Sequence, residues 1–374
     1  MAAADYGRFH PALAGALVVD GHTDTPSRLF HQPADLSTRL PDGHVDLPRL
    51  VEGGVTTPWF ALFVPHFLGP EEGWAHAERL LAGLREQWRP GEFEAVASVA
   101  EVRRAAAAGA VGVLLGLENG RCLTAPGDVE RLADRGIRYV TPTHIASHEW
   151  CDASTDEPRH GGLSDLGVAL VREMRRRGIL VDVAHVSDDA VLHVLDAVRA
   201  PVIASHSSAR ALCDQPRNLP DSLVREIAKA GGVVMANAYP AFLDDRAAEA
   251  ARERGAVIRR RVAEAEAAAG GTLTPERAFT VSREVTDATP LPPVPVDRML
   301  DHLVHLVGVA GEDHVGIGTD FDGIPEVPVG FEDASRFPVL VEGLLARGVS
   351  ARAVRLILGE NVLRVLEDAE RRSG

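Results

Sequence analysis

A histidine and an aspartate two residues apart, His22 and Asp24, stand at the end of a short apolar run and can chelate a metal ion together. On an extended chain, residues i and i+2 point to the same side, so an imidazole nitrogen and a carboxylate oxygen reach one cation. That donor mixture suits zinc, with manganese or cobalt as alternatives. Other apolar runs also end in groups able to hold or serve a metal: Glu118, His144, His185, His206 and Asp320. His185 and His206 could hold a second ion, and a carboxylate between two ions could bridge them. A site of that kind clamps and activates a water for hydrolysis.

The apolar runs cover 17–20, 57–64, 111–117, 137–143, 179–184, 201–205, 232–237 and 315–319. They are short, rich in β-branched residues and show little polar alternation, as expected of parallel strands buried on both faces. Segments of helical period lie between them, at 71–88, 98–108, 128–135, 163–177, 188–198 and 221–230. Gly136, Gly178 and Gly231 stand where a helix C-cap would precede the next strand. Eight strand–helix repeats without a GxGxxG turn predict a closed (β/α)8 TIM barrel rather than a doubly wound sheet. On a barrel, the C-terminal strand ends converge on one mouth, so the donors above would meet there. A stretch of roughly 70 residues separates the last two strands, far longer than an ordinary barrel connection. It reads as a helical insertion at about 241–296, with an Ala/Glu/Arg helix at about 244–269, expected to be solvated, and a proline-rich connector. The expected organisation is one domain over 1–374.

Composition narrows the chemistry. At 374 residues and 45% hydrophobic, the chain can bury a large core, and its net charge of −15 argues against nucleic acid as a partner. Lys229 is the only lysine and precedes the seventh strand, at the end of the barrel away from the mouth. This removes Schiff-base chemistry and a carbamylated lysine as metal bridge, leaving Glu118 as the bridging candidate. Cys122, Cys151 and Cys213 have no CxxC spacing and imply a reducing compartment. The N-terminus lacks a basic region and a cleavage site, and no apolar run approaches the roughly 20 residues needed to span a bilayer. The cytoplasm is the expected location, without a membrane partner.

The sequence resembles the membrane (renal-type) dipeptidase family of two-zinc peptidases, including its soluble bacterial members. The matching stretches are VVDGHTDTP (18–26), HVDLPRLVEGGV (44–55), GLENG (116–120), GLSDLG (162–167), VDVAHVS (181–187), ASHSSAR (204–210), RNLPD (217–221), GIGTDFDG (316–323) and GENVLRV (359–365). They keep order and spacing over nearly the whole chain. The resemblance implies two zinc ions held by His22, Asp24, Glu118, His185 and His206, with the glutamate bridging. It implies that His144 contacts the substrate and polarises the scissile carbonyl, and that Arg217 binds the substrate. Asp320 would handle the proton of the metal-bridging water and the substrate's amino group. A homodimer is also implied, with small dipeptides as substrates, including those with a C-terminal D-residue. Ala184 stands where the family usually has serine, and Pro142 makes the fourth strand's end atypical.

Plainer readings of single residues remain open. Asp320 and Asp322 could cap a helix, and Arg217 could be a loop arginine beside a cap. Asp182, inside the fifth strand, reads as support for a ligand histidine rather than a ligand. His66, His148 and His160 lie in loops near the mouth and receive no role. His302, His305 and His314 read as part of a solvated helix and its exit. Another metal hydrolase on the same barrel (lactonase, deaminase or phosphoesterase) and a recruited non-hydrolytic pathway protein are the alternative functions.

Overall fold

The computed structural model describes residues 5–269 and 271–373; residues 1–4, 270 and 374 of the single domain expected over 1–374 lie outside them. All eight expected strands are present, and a ninth, short one joins them. They are β1 (Val19–Thr23), β2 (Thr57–Phe63), β3 (Phe93–Ala95), β4 (Val111–Glu118), β5 (Ile137–Thr141), β6 (Leu180–Val181), β7 (Ile203–Ala204), β8 (Val233–Ala236) and β9 (Val315–Ile317). Every pairing between two of these strands is parallel. One sheet runs β1-β2-β4-β5-β6, with β3 on β4, and the other runs β7-β8-β9. Single parallel bridges, Asp182 to Ile203 and Thr23 to Phe321, lie between the two sheets. The result is a curled parallel sheet flanked by helices.

The curl has a packing cause. Val19, Trp59, Leu114, Tyr139, Leu180, Ile203, Val233 and Met235, drawn from seven strands, form one inner cluster. Each points inward by the period of two along its strand. Gly316 of β9 completes the ring without a side chain, because a Cβ there would sit 2.7 Å from the Met235 side chain. The outer faces of the strands pack on the helices, so β4 is buried at every position. The expected helices appear between the strands, and Gly136, Gly178 and Gly231 take positive φ after three of them.

Six strands (β2, β5, β6, β7, β8 and β9) end earlier than their apolar runs, and at three of them a carboxylate captures backbone donors. β6 stops at Val181 because the Asp182 carboxylate accepts the Ala184 N–H, and it shortens β7 by taking the Ser205 N–H. β9 stops at Ile317, and the Asp20 carboxylate accepts both the N–H and the hydroxyl of Thr319. A side chain that binds backbone donors replaces the ladder locally. β1, by contrast, extends to Thr23, so His22 lies within the strand.

Between β8 and β9 the chain forms helices Pro240–Leu243, Asp245–Ala269, Pro275–Ala288 and Val296–Ala310. The second of these is not solvated throughout: Ala247, Ala248 and Arg254 are buried. The Arg254 guanidinium makes a two-pronged ion pair with Glu326 and donates to the Tyr239 hydroxyl at 2.9 Å and the Thr289 carbonyl at 3.3 Å. His302 also corrects the expectation of a solvated helix. It is fully buried, with Nδ1 accepting the Ala209 N–H and Nε2 meeting the Leu243 carbonyl, because the helix 240–243 covers that face. His305 and His314 are half-buried and paired with Asp221 and the Gly232 carbonyl. No helix among the described residues is long and apolar enough to cross a membrane.

Removing one partner of a buried pair leaves the other charge stranded. Arg254→Ala should therefore cost about 3 kcal/mol in a denaturant titration, and the double variant Arg254→Met with Glu326→Leu should cost clearly less. Equal losses would show that the pair does not anchor these helices.

Candidate metal centre and active site

The expected donors do meet at the C-terminal ends of the strands, and backbone strain marks the place. Asn119, His185, Asp320 and Asp322 have φ between 64° and 69°, and Arg199 is the one other non-glycine residue with positive φ among those described. Such conformations cost about 1–3 kcal/mol each and persist where surrounding structure holds them. Here hydrogen bonds between β1 and the segment after β9 hold the turn, from Asp320 N–H to the His22 carbonyl and from Asp24 N–H to the Phe321 carbonyl.

Glu118 lies at the centre, buried, and its two carboxylate oxygens face different partners. Oε2 is 3.6 Å from His22 Nε2, which is itself 3.5 Å from Asp24 Oδ2. Oε1 is 3.1 Å from His185 Nε2, 3.6 Å from His206 Nε2 and 4.0 Å from His144 Nε2. The Nε2 atoms of His185 and His206 are 2.8 Å apart. Among the described residues, three overlapping sets could each hold a cation: His22, Glu118 and His206; Glu118, His144 and His185; and His22, Asp24 and Asp320. His144 differs from the other histidines in its exposure. Its side chain is 24% accessible toward the mouth, whereas those of His22, His185 and His206 are at most 7%.

His22 and His206 have polar partners on the ring nitrogen that faces away from the centre, whereas His185 Nδ1 has none. His22 Nδ1 meets the Tyr139 hydroxyl at 2.8 Å, while its buried Nε2 has no hydrogen-bond partner. His206 Nδ1 meets Ser205 Oγ at 2.7 Å, and that hydroxyl donates to Asp182 at 2.7 Å. Because Ser205 gives its proton to the carboxylate, it accepts from Nδ1–H, leaving the His206 Nε2 lone pair free. Asp182 also accepts from the Thr141 hydroxyl at 2.5 Å. It thus supports a candidate ligand, as expected, but through Ser205.

The electrostatics favour a cation at this point. Burial opposes charge on His22, yet the Glu118 and Asp24 carboxylates outweigh it and raise its pKa well above the usual value. The same field that favours a proton on Nε2 favours a metal ion. Burial, with Arg217 and neighbouring histidines, holds His185 and His206 well below the usual range, so both are neutral donors. Burial raises Glu118, opposed by His22 and reinforced by Asp24. Orphaned lone pairs beside buried carboxylates fit a metal centre.

Asp320 and Arg217 border this cluster. Burial pushes the Asp320 carboxyl up to about 7, with Asp24 and Glu118 adding and His22 opposing. The Asn237 amide donates to its Oδ2 at 3.0 Å. Arg217 is buried, and its guanidinium donates to the His206 carbonyl at 3.3 Å and lies 5.3 Å from the Phe242 ring centre. Its Nε has no partner, and no carboxylate pairs with it among the described residues. Burial lowers its pKa to about 10, so it remains charged. A buried cation without a counter-ion suits an anionic substrate group.

Asp322 is structural: it binds the Thr25 hydroxyl, Arg28 and the His44 N–H, tying 44–46 to the strand end. His148 meets the Pro142 carbonyl, which also accepts the Gly120 N–H, and His160 meets the His148 carbonyl. Pro142 therefore shapes the loop through its carbonyl, and Ala184 lies buried beside the cluster. Lys229 is exposed and paired with Glu226, away from the cluster. Sequence reasoning misses Tyr139, Ser205 and Asn237 as partners of the site, and Phe63, whose ring is 4.7 Å from that of His144.

The membrane dipeptidase family (peptidase family M19) matches residues 7–373. The dipeptidase aclJ of Aspergillus oryzae is 32% identical over 372 residues, covering 94% of this chain and 78% of that protein. The dipeptidase tcpJ of Claviceps purpurea is 33% identical over 341 residues, covering 88% and 70%. A metallo peptidase from Rhodobacter sphaeroides, liganded with a phosphinate mimic of the dipeptide L-Ala-D-Ala, superposes with a TM-score of 0.76. It is 26% identical, and the match covers 95% of this chain and 99% of that one.

Gly323 is where the cluster tolerates no side chain. A Cβ there would lie 2.2 Å from Asp24 Oδ2 and 2.7 Å from Asp320 Oδ1. Gly323→Ala should therefore lower dipeptide turnover by at least about tenfold, since small displacements of reacting groups are costly, while circular dichroism stays unchanged. Unaltered turnover would mean that the two carboxylates need not approach each other.

Proposed function

The chain belongs to the membrane dipeptidase family, peptidase family M19, and is a metallo-dipeptidase, and we propose that it works with two zinc ions shared by Glu118. The observation that carries this reading is the division of the Glu118 oxygens between two donor sets. His22 and Asp24 would serve one ion, His185 and His206 the other. Manganese or cobalt would satisfy the same donors. When bound, the ions supply Lewis acidity and an activated water.

The chain's own residues do the rest. Arg217, a buried cation without a carboxylate partner, pairs with the substrate's carboxylate or carbonyl. Neutral His144, its pKa held down to about 3 by burial and by Arg217, donates a hydrogen bond to the developing oxyanion. Asp320 receives the proton of the attacking water, passes it to the leaving amine, and holds the substrate's amino group. The L-Ala-D-Ala mimic bound by the Rhodobacter protein supports a substrate range that includes dipeptides with a C-terminal D-residue.

The bridges at Asp182–Ile203 and Thr23–Phe321 support a closed eight-stranded barrel, forming one domain over 1–374 with a helical insertion at about 241–296. Three buried, unpaired cysteines support a cytoplasmic location. The family likeness supports a homodimer, with small dipeptides rather than nucleic acid as partners.

A metal-reconstituted screen of L,L- and L,D-dipeptides, run beside a lactone and a phosphotriester, tests the substrate class. Only the dipeptides should turn over. Glu118→Gln should lose metal and activity together, whereas Asp320→Asn should retain metal and lose about 10²–10⁴-fold in kcat. Equal metal loss in both variants would make Asp320 a ligand instead. Tyr139→Phe should weaken metal affinity about 10–100-fold, read by competition with a chelator; unchanged affinity would separate Tyr139 from the ligand set.

A further inference from the structure

We infer that Asn237 is the positioning residue for Asp320, fixing which carboxylate oxygen faces the reacting groups. Asn237 is fully buried just beyond β8. Its Oδ1 accepts the Tyr239 backbone N–H at 2.5 Å. A backbone N–H can only donate, so the oxygen end of the amide belongs there. The amino end then faces two acceptors, Asp320 Oδ2 at 3.0 Å and the His206 carbonyl at 3.4 Å. No amide flip satisfies these three partners, so the orientation is determined by chemistry.

This leaves the two oxygens of Asp320 unequal. Oδ2 is engaged by a fixed donor. Oδ1 is turned toward Asp24, and both Oδ1 and Asp24 Oδ2 crowd the space beside Gly323. The Asp320 backbone, at a φ of 64°, is fixed by its N–H on the His22 carbonyl and by the Gly323 N–H on its own carbonyl, so what Asn237 fixes is the side chain. The hold is itself braced, since the Tyr239 hydroxyl is bound by Arg254 of the helix 245–269. Asn237 touches neither ion nor substrate in this account; it acts through Asp320.

The inference rests on the reading of Asp320 as the proton carrier, and a double-mutant cycle on the metal-loaded protein keeps the two apart. Asn237→Asp preserves shape and the acceptor for Tyr239 but sets an oxygen against Asp320; Asn237→Ala removes both ends. Each should lower kcat at least about tenfold and change KM less than about threefold. Metal content should stay at the wild-type value in both variants, while Asn237→Asp, which buries a second carboxylate beside Asp320, should lower Tm. In an Asp320→Asn background, adding Asn237→Ala should change the residual rate by less than about twofold, because the residue acts through a group already removed. Losses that multiply in the double variant, or wild-type kcat in Asn237→Asp, would overturn the inference while leaving Asp320 in its role. Wild-type turnover in Asp320→Asn alone would overturn both.

Discussion

The site depends on a carboxylate placed where a carboxylate is expensive. Glu118 ends a strand buried at every position, and burial raises its pKa. An ionised carboxylate in such a place needs compensating charge on both oxygens. Arg217 lies near but pairs with no carboxylate; His22 can carry a proton beside Glu118, while burial keeps His185 and His206 neutral. The proposed metal ions, held between the histidine nitrogens and the two oxygens, would resolve the conflict. Much of the surrounding architecture follows as a way to keep five donors from relaxing away from one another.

That architecture works by giving several of the candidate donors a second partner, while His185 Nδ1 has none. Tyr139 holds His22, and Ser205 with Asp182 holds His206. Asn237 holds Asp320. Asp182 and Asp20 also take backbone donors from neighbouring strand ends, so the shell that orients the site is built from the same bonds that terminate β6, β7 and β9. Strand ending and donor placement are one structural event. The helices between β8 and β9 join this scheme through Arg254, Glu326 and Tyr239, which link them to the Asn237 turn.

The strands were legible in the sequence because buried parallel strands are short, apolar and β-branched, and because glycines close the helices before them. The candidate donors were legible because they end those runs, and the single lysine, placed before the seventh expected strand, left Glu118 as the bridge candidate. The orienting partners were not legible in the same way. Tyr139 lies 117 residues from His22 and, in sequence, is one more apolar strand residue. Asn237 reads as the end of a strand until its two ends are seen to meet a donor and two acceptors. His302 was misread for a related reason: periodicity identifies a helix face but not the element that will cover it. Ends of strands were misjudged where a carboxylate captured ladder donors, a competition that composition does not reveal.

The central claim is that Glu118 joins two ions. Anomalous diffraction at the zinc absorption edge, from crystals of the zinc-loaded protein, tests it most directly. The account predicts two peaks about 3.5–4 Å apart, one beside His22 and Asp24 and the other beside His185 and His206, with one Glu118 oxygen on each. A single peak, or a pair in which Glu118 touches only one, would contradict it.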